Sequence, residues 1–235
     1  MGVFSFRQFD VDDSGCGMKI CTDSVLLGAW FGRAHTDARC VADVGAGSGV
    51  LALICAQYMP QAHVTALEID PQAAQACALN FAASPWNDRL TVAEGDFMAW
   101  SPSAPVDAII SNPPYFTTGE LSADRARAGA RHQSGLTYAT LIAKAARWLS
   151  DDGRLALVSP AEFGSHIVFE AEMAGLKLRR RLAIRTSPAR EPSRTLWDFG
   201  RRDGDFTDGT LALRNADGTI SDDYRQLTSE LYIKL

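Results

Sequence analysis

Residues 111–116 read SNPPYF and follow VDAII, a short apolar run of the kind that forms a buried strand. Neither Pro113 nor Pro114 can donate a backbone hydrogen bond, and two aromatics, Tyr115 and Phe116, come next. Two readings fit: a rigid turn, or a docking surface for a flat substrate that carries an amino group. A second stretch, ADVGAGSGVLAL at 42–53, sets Gly45, Gly47 and Gly49 between strand and helix character. Such a turn lets a ligand come close to the backbone at a helix N-terminus. A tight connection with no ligand would use the same glycines. The spacing departs from the dinucleotide pattern G-x-G-x-x-G, because position 50 is Val, and Asp43 opens the turn. Glu68 ends the next strand-like run, where a carboxylate in this architecture accepts both hydroxyls of a ribose; a solvated strand-end charge is the alternative. In EGDF, Asp96 offers an acceptor for an adenine amino group and Phe97 a ring to lie against that adenine, or the four residues are an ordinary turn. Asp70 is followed by Pro71 and reads as a helix N-cap.

Alternation supplies the elements that would hold these residues. The runs 39–46, 63–69, 90–96, 106–111 and 154–160 read as strands, and the Ala-rich stretches 48–59, 71–83 and 137–150 have helical character. Repeated strand–helix units of this length imply a parallel sheet with helices on both faces. After a helix near 161–174 the rhythm changes: LKLRRRLAIRTS and TLWDFGRR are longer strands joined by a short linker, which predicts an antiparallel hairpin. Residues 1–38 read as an N-terminal cap packed on the main unit, 39–235. The cap has a short strand FSFRQF, a Gly-rich turn, and a helix TDSVLLGAWFG with Thr22 or Asp23 as its N-cap.

The 235 residues suit one α/β domain with modest additions, and 46% of them are hydrophobic. No apolar run approaches the roughly 18 residues of a membrane span, and the N-terminus lacks the basic-then-apolar order of a signal peptide. Met1-Gly2 resembles a myristoylation start, but Phe6 occupies the position of the required Ser or Thr. The expectation is a soluble cytoplasmic protein, monomeric and without a metal. Cys16, Cys21, Cys40, Cys55 and Cys77 form no C-x-x-C pair, and Cys40, Cys55 and Cys77 lie in apolar segments where a small buried thiol is ordinary. The net charge of −5 argues against a protein that coats nucleic acid indiscriminately, yet it leaves room for a local basic face.

DVGAGSG, Glu68, EGDF and NPPY, in this order on successive strand ends, resemble the class I S-adenosylmethionine-dependent methyltransferases of the amino-methylating branch, marked by (N/D/S)-PP-(Y/F). FSFRQF, MKICTDSVLLGAW and YRQLTSELYIKL are similar, more narrowly, to the tRNA1(Val) adenine-N6 methyltransferases that act at position 37. The resemblance implies a Rossmann-like seven-stranded, mostly parallel sheet with an antiparallel last strand, with 39–235 as the methyltransferase domain. S-adenosyl-L-methionine would be the donor, and an unpaired adenine beside an anticodon the acceptor. It assigns Thr22, Asp43, Gly45, Gly47, Gly49, Glu68, Asp96 and Phe97 to the donor. An exocyclic adenine amine is a poor nucleophile because its lone pair is delocalised into the ring. On this reading Asn112 Oδ1 and the Pro113 carbonyl each accept one N–H and aim the lone pair at the methyl group. Tyr115 stacks the base, and Phe116 closes the other side or lines the entrance.

The tetrapeptide leaves the amine open, since protein glutamine and guanine N2 are methylated by relatives that share it or its Phe variant. Only 42 residues precede Asp43, too few for the helical domain of the glutamine enzymes. NPPY is not the NPPFH of the rRNA guanine enzymes, and 115–136 is too short for a DNA target-recognition insertion. A small structured RNA therefore leads. A nicotinamide oxidoreductase would leave SNPPYF unexplained, and a non-catalytic subunit would have little use for both motifs. Between 177 and 202, nine basic residues, among them Arg190 and Arg194, face only Glu191 and Asp198, an excess of seven positive charges. With Arg125, Arg127 and Arg131 they are expected to form an RNA track, the alternative being a solvated hairpin face.

Overall fold

The computed structural model describes residues 2–114 and 136–234. A small hairpin of β1 (Val3–Ser5) and β2 (Asp10–Asp12) leads into α1 (Thr22–Gly32). The strand–helix units follow as β3 (Cys40–Val44), α2 (Val50–Tyr58), β4 (His63–Glu68), α3 (Pro71–Ala83), β5 (Leu90–Glu94) and β6 (Val106–Ser111). Then come α4 (Tyr138–Trp148), β7 (Leu149–Pro160), α5 (Gly164–Met173), β8 (Lys177–Arg185), β9 (Arg194–Gly200), β10 (Thr207–Ala212) and α6 (Asp222–Thr228).

The main sheet has the order β10-β8-β9-β7-β6-β3-β4-β5. Among the described strands of this sheet only β9 runs against its neighbours, pairing antiparallel with both β7 and β8. The expected hairpin is therefore present, but the antiparallel strand is β9 and not the last one, and the strand count of the described residues differs by one. An eighth strand, β10, pairs parallel with β8 at the sheet edge. It escaped the periodicity because an edge strand needs no apolar face: of TDGTLA only Leu211 is buried.

The central strands explain the apolar runs. Val41 to Val44 are all buried, and they divide between two cores by the two-residue alternation of a strand. Val41 packs with α1 and α2 on one face, while Ala42 and Val44 pack with α4 and α5 on the other. Cys55 and Cys77 are buried as expected, but Cys40 is exposed, because it is the first residue of β3 and lies before the buried run begins.

The expected side-chain cap of α1 is not formed. Cys21 is the N-cap and makes no capping hydrogen bond; Thr22 already lies in the helix, and Asp23 faces Arg194 Nε at 3.0 Å. What fixes α1 is close packing on α2. A Cβ at Gly28 would come within 2.7 Å of Ile54 Cγ2, and one at Gly32 within 2.8 Å of Tyr58 Cβ. Two glycines four residues apart thus let the helix backbones approach, and that approach carries the start of α1 to the end of β6. Asp70 does cap α3, accepting from the N–H groups of Gln72 and Ala73, with Pro71 at the first helical position.

Candidate active site

The C-terminal ends of β3, β4 and β6 converge on a cleft of about 300 Å³ bordered by Asp43, Gly45, Gly47, Glu68 and Asn112. Gly45, Gly47 and Gly49 have φ of 72°, 55° and 81°, a backbone region that favours glycine. Their surroundings differ. Among the described residues a Cβ on Gly45 or Gly47 would meet nothing within 4 Å, whereas one on Gly49 would lie 2.6 Å from both Cys77 Sγ and Phe81 Cε1. The first two glycines keep the backbone open toward the cleft; the third seats the turn on α3.

Two carboxylates hold the turn. Gly47 N–H donates to Glu68 Oε2 at 2.7 Å, and Asp70 N–H donates to Glu68 Oε1 at 2.9 Å. Glu68 is thus a brace of the glycine turn as well as a wall of the cleft. Asp43 is 1% exposed; Ala52 N–H donates to its Oδ2 at 3.0 Å, and its Oδ1 has no partner among the described residues. Burial pushes its carboxyl up to about 7, against the lowering effect of the Ala52 hydrogen bond, and the nearby Glu68 charge adds to the rise. A cationic group beside Oδ1 would offset that cost. An orphaned buried oxygen and an open glycine backbone therefore fit the ammonium and the extended body of an S-adenosyl-L-methionine molecule.

The end of β5 contributes less openly. Asp96 accepts from Met98 N–H at 2.8 Å, and Phe97 is buried in the second core. Lys144 Nζ lies 5.2 Å from the Phe97 ring centroid and donates to the Met98 carbonyl. Asp96 and Phe97 border a cavity of only about 40 Å³ beside Val44 and Gly45.

At the end of β6, Asn112 is 9% exposed, Pro113 is buried and Pro114 borders the cleft. Asn112 Nδ2 donates to Ser24 Oγ at 2.9 Å and to Cys21 Sγ at 3.3 Å; its Oδ1 has no partner among the described residues. The nitrogen end of the amide is committed to the protein, and the oxygen end is left as an acceptor. Tyr115, Phe116, Arg125, Arg127 and Arg131 lie outside the described residues.

Residues 2–181 match the methyltransferase small domain family. The chain belongs to that family. The methyltransferase is 41% identical over 233 residues to the tRNA1(Val) (adenine(37)-N6)-methyltransferase of Aeromonas hydrophila, a match covering 99% of this chain and 98% of the relative. Its fold is shared by a predicted O-methyltransferase of Agrobacterium tumefaciens, with a TM-score of 0.69 at 19% identity over 89% of this chain and 96% of that one. It is shared also by the glycopeptide N-methyltransferase MtfA complexed with S-adenosyl-L-methionine, with a TM-score of 0.55 at 16% identity over 77% of this chain and 88% of that one.

Within the methyltransferase, Thr22 is not among the residues that border the cleft; from the same helix it is Ser24 that does. Motif reading missed Ser24 and Cys21 because both act on Asn112 across 88 and 91 residues of sequence, and nothing local marks them. Lys19 also borders the cleft; its Nζ donates to the Asp13 carbonyl at 2.7 Å.

The arginine-rich stretch is mostly turned inward or paired. Asp198, fully buried, receives Arg154 Nε at 2.9 Å and His35 Nε2 at 3.0 Å, with Arg180 Nη1 at 3.6 Å. Arg180 also stacks on Trp30, 4.2 Å from the ring centroid. Arg181 pairs with Asp208, Arg201 donates to the carbonyls of Leu149 and Ala146, Arg202 pairs with Asp152, and Arg194 pairs with Asp23. Arg190 is exposed on the β8–β9 turn. That turn stands on the cleft's rim of the sheet, because the antiparallel register sets Arg194 beside Pro160 at the C-terminal end of β7.

Proposed function

We propose that this chain transfers a methyl group from S-adenosyl-L-methionine to the exocyclic N6 of the unpaired adenine at position 37 of tRNA1(Val). The observation that carries the reaction is the Asn112 amide, whose nitrogen is held by Ser24 and Cys21 while its oxygen has no partner among the described residues. The acceptor follows from full-length similarity to relatives named for that nucleotide.

Asp43 would face the donor's ammonium, Glu68 its ribose hydroxyls and Asp96 its adenine amino group, with Gly45 and Gly47 giving the backbone room. The donor supplies an electrophilic methyl on a sulfonium. Asn112 Oδ1 and the Pro113 carbonyl accept the two N–H groups of the substrate amine, which turns its lone pair out of the ring system. Pro113 and Pro114 bring no competing N–H to that end. Tyr115 provides a stacking face, worth about 1 to 3 kcal/mol for an unpaired base, and Phe116 lines the entrance. Holding nitrogen and methyl in line contributes roughly 7 to 11 kcal/mol, and no strong general base is needed because the methylated nitrogen is cationic and acidic. The methylated amine then loses its extra proton to solvent. Arg190 is the first contact for RNA phosphate, and Arg194 supports the same rim from within its pair with Asp23. The reading has the enzyme working in the cytoplasm as a monomer without a metal ion.

Asn112→Ala tests it. Turnover at saturating donor and tRNA should fall about a hundredfold or more, with donor affinity measured by calorimetry nearly unchanged. A variant that kept half the wild-type rate would place the reaction elsewhere.

A further inference from the structure

We infer that Ser24 and Cys21, at the start of α1, are positioning residues that fix which end of the Asn112 amide meets the substrate amine. The inference rests on the reading of Asn112 as the amine's acceptor and assigns the start of α1 a role beyond the donor contact expected of Thr22. A carboxamide is nearly symmetric in shape. Rotating it by half a turn would exchange Oδ1 for Nδ2 and present a donor to an amine that itself needs an acceptor. Pro113 and Pro114 cannot prevent that exchange, since neither has an N–H with which to hold the oxygen away.

Ser24 alone would not decide it either, because a hydroxyl can donate or accept. Cys21 adds a second acceptor for the amide's two N–H groups. Its Sγ lies 3.6 Å from Ser24 Oγ and 3.3 Å from Asn112 Nδ2, closing a triangle with the 2.9 Å contact between Nδ2 and Oγ. Both hydrogens of Nδ2 thus have an acceptor on this side, Ser24 Oγ and Cys21 Sγ, so nitrogen faces α1 and oxygen faces away. The triangle is held from behind. Ser24 is 8% exposed, Gly28 and Gly32 seat α1 tightly on α2, and Asp23 in the same turn pairs with Arg194.

The test is a double-mutant cycle on the full-length enzyme, with kcat at saturating donor and tRNA and donor Kd as separate readouts. Ser24→Ala should lower kcat about tenfold and Cys21→Ala about two- to threefold, the scale of one lost neutral hydrogen bond and of a weaker sulfur contact. Donor Kd should stay within about twofold in both, because the pair acts on the amide and not on the donor. In an Asn112→Ala background, adding Ser24→Ala should cost nothing further, since the group through which it acts is gone. A second tenfold loss in that background would make Ser24 an independent structural residue and overturn the inference. So would full kcat in both single variants, or a weakened donor Kd with kcat intact. Failure of the underlying reading is distinct: there Asn112→Ala itself would retain its rate.

Discussion

The glycine turn after β3 and the arginine-rich β8–β9 hairpin reach the same rim of the sheet, yet their side chains have different fates. At the turn and the neighbouring end of β6, the chemistry-bearing atoms stay available: among the described residues Asp43 Oδ1 and Asn112 Oδ1 lack partners and nothing fills the space beside Gly45 and Gly47. On the hairpin, Arg180, Arg181, Arg194, Arg201 and Arg202 all have intramolecular partners. A motif constrains backbone geometry and so keeps its meaning once folded. A charge count does not, because it cannot distinguish an arginine that meets solvent from one that meets a buried carboxylate.

The largest effect expected on the hairpin side comes from Asp198→Ala. It would strand Arg154 and Arg180 without their buried partner and should destabilise the fold by about 3 to 5 kcal/mol, read from the denaturant midpoint. A loss under about 1 kcal/mol, the scale of an exposed pair, would return these arginines to a solvated face and remove the contrast.

The sheet core, the antiparallel hairpin, the Asp70 cap and the convergence of Asp43, Gly45, Gly47, Glu68 and Asn112 were legible because each follows from a local pattern: an apolar run, a proline after a cap, a glycine at positive φ. The eighth strand, the exposure of Cys40, the uncapped start of α1 and the Ser24–Cys21 contact to Asn112 were not. Each depends on what a residue meets across the fold. The same holds for Glu68, whose bond to the Gly47 N–H is a tertiary fact that strand-end position alone does not state. Phe97 shows the limit from the other side: the motif identified a ring, and the fold buries it under Lys144.

Asp43 sharpens the functional half of the comparison. Its carboxyl is raised from 3.8 to about 7, so between those values the folded chain keeps a proton that the unfolded chain has released. Stability from this group therefore falls as pH rises through that window and levels off above about 7. Asp43→Asn should remove that fall and be more stable than wild type by about 4 kcal/mol at pH 8, with the two converging near pH 4. With S-adenosyl-L-methionine present the gap should narrow, since the variant has lost the carboxylate that faces the donor's ammonium. Equal stabilisation of both proteins by the donor would take Asp43 out of the binding site.

The smallest effect belongs to the one exposed arginine of the hairpin turn. Arg190→Glu should raise the tRNA Kd by a few-fold and reduce the log–log salt slope by about 0.7 to 0.9, one phosphate contact, with donor binding untouched. Arg181→Ala, which breaks only the pair with Asp208, should leave that slope as it was. Equal slopes in the two variants would move the RNA track away from the hairpin turn.

The most direct test of the account is the identity of the product. Methyl-labelled S-adenosyl-L-methionine incubated with the enzyme and tRNA1(Val), followed by digestion to nucleosides, should give the label as N6-methyladenosine. Replacing the adenine at position 37 in a transcript of that tRNA should abolish it. Label recovered as N2-methylguanosine, or incorporation that persists without adenine 37, would contradict the assignment.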